Sequence, residues 1–196
     1  MKNLIALILV SSYFMSLTAQ VEGTIQYQET VKIDIDIEGL PEAMKDMIPT
    51  SQSMSKELIF DKSNTVYKTK KGDSPEDINM ESDDGKMTIK IMQDDSEEIL
   101  YISLKDRKVI HQQGIMGKSF IVESELEKYN WKLSTEKIKY LDYECQKATI
   151  EEDGQFVVAW YTSQIPAQIG PSGYSGLPGA ILMLSLIHIS EPTRPY

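Results

Sequence analysis

Few residues in this chain are suited to nucleophilic or acid–base chemistry near neutral pH. It has one cysteine, Cys145, and two histidines, His111 and His188. A hydrolytic site needs a nucleophile, a base and a group that orients the base. No Gly-x-Ser-x-Gly elbow supplies the nucleophile. His111 is followed by Gln112 and Gln113 at an expected strand end, where a solvent-facing or core imidazole is the simpler role. A Cys145–His111 pair is chemically conceivable. Yet Cys145 alternates with Tyr143 in a strand-like stretch, which favours a buried, inert thiol. Zinc needs about four clustered Cys, His or acidic ligands, and so few cysteines and histidines make such a site improbable. The acidic runs Glu81-Ser82-Asp83-Asp84-Gly85 and Asp94-Asp95-Ser96-Glu97-Glu98 offer hard oxygen ligands for weak calcium binding. Neither has the Asp-x-Asp-x-Asp-Gly spacing, so both are expected to be solvated turns. Phosphate-cradling glycine loops and dinucleotide fingerprints are absent. The expectation is no catalytic residue, no metal and no cofactor.

Recognition by aromatic side chains is the remaining option. Trp160, Tyr161 and Tyr174, with the neighbouring Leu177 and Pro178, are the candidate ligand- or partner-binding residues. That role requires the aromatics to be exposed. The competing expectation is a tight structural crossover between two strands.

The elements that must hold these residues are strands. From Val21 to Ile37 every even position is polar, and the odd positions apart from Gly23 and Glu29 are apolar. Side chains alternate faces along a strand, so this is a long strand with one wet face, which favours an antiparallel sheet. Glu38-Gly39 breaks it. Leu40, Met44, Met47 and Ile48 then fall at helical spacing between Pro41 and Pro49, predicting one short amphipathic helix over the sheet. Its methionines suit a core contact or an adaptable groove. Strands are predicted at 56–60, 65–68, 87–91, 99–104, 109–111 and 156–161, with turns at 61–64, 93–98, 105–108 and around Asp153-Gly154. Tyr129, Trp131 and Leu133 also alternate. Lys70 to Lys86 reads as a polar surface loop. Strands at short spacing with almost no helix predict an all-β, antiparallel domain, as a curved sheet or open barrel.

Length and composition fit one domain. The chain has 196 residues, 41% hydrophobic and 26% charged, with a net charge of −10. The acidic balance repels phosphate backbones and argues against nucleic acid. At the N-terminus, Lys2, the apolar stretch Leu4–Leu17 and the small Ala19 read as a signal peptide over residues 1–19. The apolar run is short against the roughly 20 residues of a bilayer span. No stable membrane span is expected after cleavage, and export with one cysteine leaves no internal disulfide framework.

Asp142-Tyr143-Glu144-Cys145-Gln146-Lys147-Ala148-Thr149 leads to Ala159-Trp160-Tyr161-Thr162. Ile165-Pro166, Gly170-Pro171, Tyr174 and Gly176-Leu177-Pro178-Gly179-Ala180-Ile181-Leu182 follow. This order resembles the GLPGLI family of exported bacterial proteins over Asp142–Leu182, and more loosely in strand order back to Val21. Ala180 stands where the naming motif has its second Leu. The resemblance implies an exported, mostly β domain, periplasmic or extracellular/outer-surface, in a Gram-negative bacterium. That family has no known function, so it assigns no catalytic residue. Pro178-Gly179 has the composition of the central pair of a type II turn. Ile165, Tyr174 and Leu177 are expected to pin the loop to the sheet.

Residues Leu184 to Arg194 read as one translated frame of a common transposon-based sequencing adapter. The expectation is a domain over 20–183, incomplete at its C-terminal strands, with 184–196 a non-native tail. Leu186-Ile187-His188-Ile189 is apolar enough to prolong the strand from Ile181. The functional expectation is a non-enzymatic binding or accessory module for another envelope protein, acting through a sheet edge or the Trp160–Tyr174 region. The alternatives are a periplasmic carrier of an apolar ligand such as lipid, and a hydrolase of unrecognised type.

Overall fold

The computed structural model describes residues 22–32, 49–70, 78–81, 88–91, 98–115, 117–152 and 155–188. The strands are β1 (Gly23–Lys32), β2 (Ser51–Phe60), β3 (Asn64–Thr69), β4 (Ile78–Glu81), β5 (Thr88–Ile91), β6 (Ile99–Ser103), β7 (Lys108–Ile115), β8 (Lys118–Glu125), β9 (Lys132–Tyr140), β10 (Tyr143–Glu152), β11 (Gln155–Thr162) and β12 (Ala180–His188). A 3₁₀ turn spans Pro171–Gly173. Every strand pairing is antiparallel, so the predicted all-β antiparallel class holds. The strands divide into a six-stranded sheet, β1-β2-β3-β6-β7-β8, a four-stranded sheet, β12-β11-β10-β9, and the hairpin β4-β5. The two large sheets face each other and do not close into a barrel.

Several elements differ from expectation. The stretch read as the loop Lys70–Lys86 contains β4, which pairs with β5; four residues, Ile78-Asn79-Met80-Glu81, are too few to show an alternation. β8 carries Phe120-Ile121-Val122 on both faces, so it has no period-two signature and escaped the sequence reading. The predicted helix at Leu40–Ile48, the leader 1–19, the turn residues Asp153-Gly154 and the tail after His188 lie outside the described residues. β12 itself continues past Met183, pairing Leu184 with Ala159 and Leu186 with Val157.

Strand alternation is obeyed where the core needs it. Ile25, Tyr27 and Glu29 of β1 face inward while Thr24, Gln26 and Gln28 are exposed. Register places Ile25, Leu58, Tyr67, Leu100 and His111 in one row across the inner face of the six-stranded sheet. Leu58, Phe60 and Tyr67 from this face pack with Cys145, Ala180 and Leu182 of the opposite sheet, and with Ala167 and Ile169 from the loop between β11 and β12. Leu58, Ile169, Leu177 and Ile181 are almost fully buried, each contributing about 1.5–3 kcal/mol of apolar burial. The Tyr27 hydroxyl joins the sheets by donating to the Ile181 carbonyl at 2.6 Å.

Candidate functional site

The loop from Ser163 to Gly179 holds most of the sequence candidates, and its backbone explains its shape. Ala167, Ile169, Pro171, Ser175 and Leu177 are buried. Ile169 N–H donates to the Ala167 carbonyl, and Ile181 N–H to the Ile169 carbonyl. Pro178-Gly179 does not form the predicted type II turn. Ala180 N–H, which would close that turn on Leu177, instead donates to the Ile165 carbonyl at 3.1 Å. Gly179 N–H donates to the Leu177 carbonyl at 2.8 Å. Gly179 has φ of 152° and lies against the Thr162 carbonyl, so close that a Cβ would collide with that oxygen. Close approach of two backbones thus explains this glycine.

The five sequence candidates are scattered by this packing. Tyr161 and Leu177 are buried in one cluster with Ala148, Ala159 and Ile181. Tyr174 is half-buried and packs on Tyr129 and Trp131, with ring centroids 4.9 and 6.2 Å away. Trp131 donates its indole N–H to the Ser175 carbonyl at 2.9 Å, tying the loop to the start of β9. Trp160 is half-buried, with the Lys147 ammonium 6.0 Å from its ring centroid. Pro178 alone of the five is fully at the surface.

Polar groups converge elsewhere, on the inner face of the six-stranded sheet beyond the core. A cleft of about 210 Å³ is lined by Glu29, Lys56, Tyr67, Glu98, His111 and Ser172, among others. The Lys56 side chain is only 5% exposed, and its Nζ lies 3.0 Å from Glu98 Oε2. The other Glu98 oxygen is 3.1 Å from His111 Nε2. Tyr67 donates to Glu29 at 3.4 Å, and the Ser172 hydroxyl is also bonded to it. Ser172 reaches the cleft because the 3₁₀ turn packs on β6, with Gly173 against Leu100. Burial pushes the Glu98 carboxyl up, but the hydrogen bond and charge of Lys56, then those of His111, outweigh it and hold it below its ordinary value. Tyr67 is pushed well above the ordinary tyrosine range, first by burial and then by the charge of Glu29.

This cleft runs into an apolar strip. Val122 pairs with His111 and Phe120 with Gln113, so both point to the inner face, as does Ile115. All three are exposed. The sequence reading had weighed His111 but missed its neighbours, because Lys56, Glu98 and Ser172 come together only through strand order. Cys145 and His111 are not brought together. Cys145 is 0% exposed in the core, and burial raises its thiol pKa. Among the described residues, no three His, Cys, Asp or Glu side chains form a metal-sized group, and no helix is long and apolar enough to cross a membrane.

Residues 150–183 match a family model described as a protein of unknown function (Porph_ging). The match covers the end of β10, all of β11, the loop and the start of β12. No curated protein matches the chain. The solved structure of PNGF-II is similar with a TM-score of 0.53 at 18% identity, over 86% of this chain and 26% of that one. At this identity the likeness is one of fold. The chain spans about a quarter of PNGF-II.

Proposed function

We infer that the protein is an exported, non-enzymatic binding module of the cell envelope, related to the GLPGLI group, with residues 1–19 as its leader. The observation that carries the reading is the exposed strip Ile115, Phe120 and Val122 beside the Lys56–Glu98–His111 cluster. Apolar side chains grouped on one face and flanked by charge are the usual make-up of a recognition surface. A net charge of −10, with Glu29 and Glu98 at the cleft, favours a partner segment that is apolar on one side and basic on the other. The match to about a quarter of PNGF-II supports the module reading, since there the fold is part of a longer chain.

The test is a photo-crosslinking amino acid placed at Phe120, with Ile59 on the opposite face as control. The expected result is a discrete crosslink from position 120 to a polypeptide other than this chain, which Val122→Asp abolishes; a crosslink to a second copy alone overturns the reading. Equal labelling from both positions, or none from 120, overturns the reading. A lipid retained by the gently purified protein in native mass spectrometry would instead favour the carrier.

A further inference from the structure

We propose that β8 pairs with β8 of a second copy, joining two six-stranded sheets into one and doubling the inner-face strip. Three observations lead there. First, among the described residues β8 is an edge strand exposed along its whole length, with no proline and no register shift against β7. Such an edge is a template for another strand. The other edges differ. β9 presents Lys132, Lys137 and Lys139 and is itself bulged between Leu133 and Lys137. β12 is itself bulged at Leu182. β1 presents polar Thr24, Gln26, Gln28 and Thr30.

Second, β8 is self-complementary. A two-fold axis between antiparallel strands keeps each inner face on the same side, so only residues of equal parity can oppose one another. In the register centred on Ile121, Ile121 opposes Ile121, Phe120 opposes Val122, and Ser119 opposes Glu123. Shifting the centre to Val122 sets Ile121 against Glu123 and Phe120 against Ser124. Shifting it to Phe120 sets Ile121 against Ser119 and Val122 against Lys118. Only the first register matches apolar with apolar on both faces.

Third, the charges permit it. In that register the two Glu123 residues are four steps apart, about 13 Å at strand rise, beyond a Debye length of about 8 Å at physiological salt. Phe120 and Val122 of the second copy then extend the strip formed by Ile115, Phe120 and Val122. The pairing is independent of what binds that face; only the doubled surface rests on the binding reading above.

The experiment is sedimentation equilibrium of the full chain, with oxidative crosslinking of single-cysteine additions. Wild type is expected to dimerise with concentration. Ile121→Lys, at a side chain 72% exposed, is expected to weaken the dimer by roughly tenfold or more through like charges placed opposite each other, with an unchanged circular dichroism spectrum. Ile121→Cys should give a disulfide-linked dimer, while Ser119→Cys should not, unless mixed with Glu123→Cys. A chain monomeric at its highest soluble concentration, or crosslinking from position 119 alone, overturns the proposal. Crosslinking to a foreign partner from position 120 is read separately, so failure of one leaves the other standing.

Discussion

Lys56 concentrates the electrostatic stakes of this fold in one side chain. Its ammonium is almost buried, and Glu98 is the carboxylate it bonds. Glu98 itself is half-exposed, so solvent softens the interaction. Glu98→Gln leaves a buried cation without its counter-charge, and is expected to destabilise the protein by about 1–2 kcal/mol near neutral pH, below the cost of breaking a fully buried pair. The pH dependence gives the sign. The folded-state pKa of Glu98 lies below its ordinary value of 4.5. Its stabilisation is therefore complete above that value and is lost as pH falls through the folded pKa. Urea unfolding of wild type and Glu98→Gln should differ at neutral pH and converge in acid. A gap that persists once the carboxyl is protonated would mean that Lys56 does not depend on the Glu98 charge.

Among the elements, the hairpin between β9 and β10 carries visible strain. Leu141 has φ of 52° and is exposed at the turn. A left-handed conformation costs a branched aliphatic residue about 1–2 kcal/mol, and asparagine tolerates it better. Leu141→Asn is expected to add about 0.5–1 kcal/mol of stability, raising Tm by a few degrees, whereas Leu141→Val should lower it. Differential scanning calorimetry decides the order. The same chain shows which elements a sequence exposes to reading. β1 was legible because Ile25 and Tyr27 meet a core on one side and water on the other. β8 was not, because an uncovered edge has no buried face to impose alternation. Asp61-Lys62-Ser63-Asn64 was legible as a turn, and Asp61 there accepts from the Ser63 and Asn64 N–H groups at 2.6 and 2.7 Å. The polar cleft was hidden for another reason. Lys56 and Glu98 are 42 residues apart and Ser172 is further still, so only the crossover from β3 to β6 and the packing of the 3₁₀ turn assemble them. The motif loop was legible as structured, but its glycine answers to the Thr162 carbonyl rather than to a turn type.

For the molecule as a whole, the seam between the two large sheets decides cooperativity, and Cys145 reports on it. It lies in one buried cluster with Leu58, Phe60 and Tyr67 from one sheet and Ala180 and Leu182 from the other. Thiolate is the reactive form, and burial raises the Cys145 pKa, so reagent must wait for an opening. If the sheets part only on global unfolding, the free energy of opening from thiol labelling equals that from urea unfolding. The Tyr27 hydroxyl is one polar tie across this seam, donating to Ile181 in β12. Tyr27→Phe removes it and leaves the carbonyl short of a partner, a loss of about 1 kcal/mol. Labelling of Cys145 should then accelerate by about fivefold, in step with the drop in stability. Labelling that accelerates while urea stability holds would show that the seam opens by itself, with the contact between β1 and β12 the first to part. Labelling that speeds up in step with the loss of urea stability would show that the two sheets fold as one unit, held by the seam around Cys145.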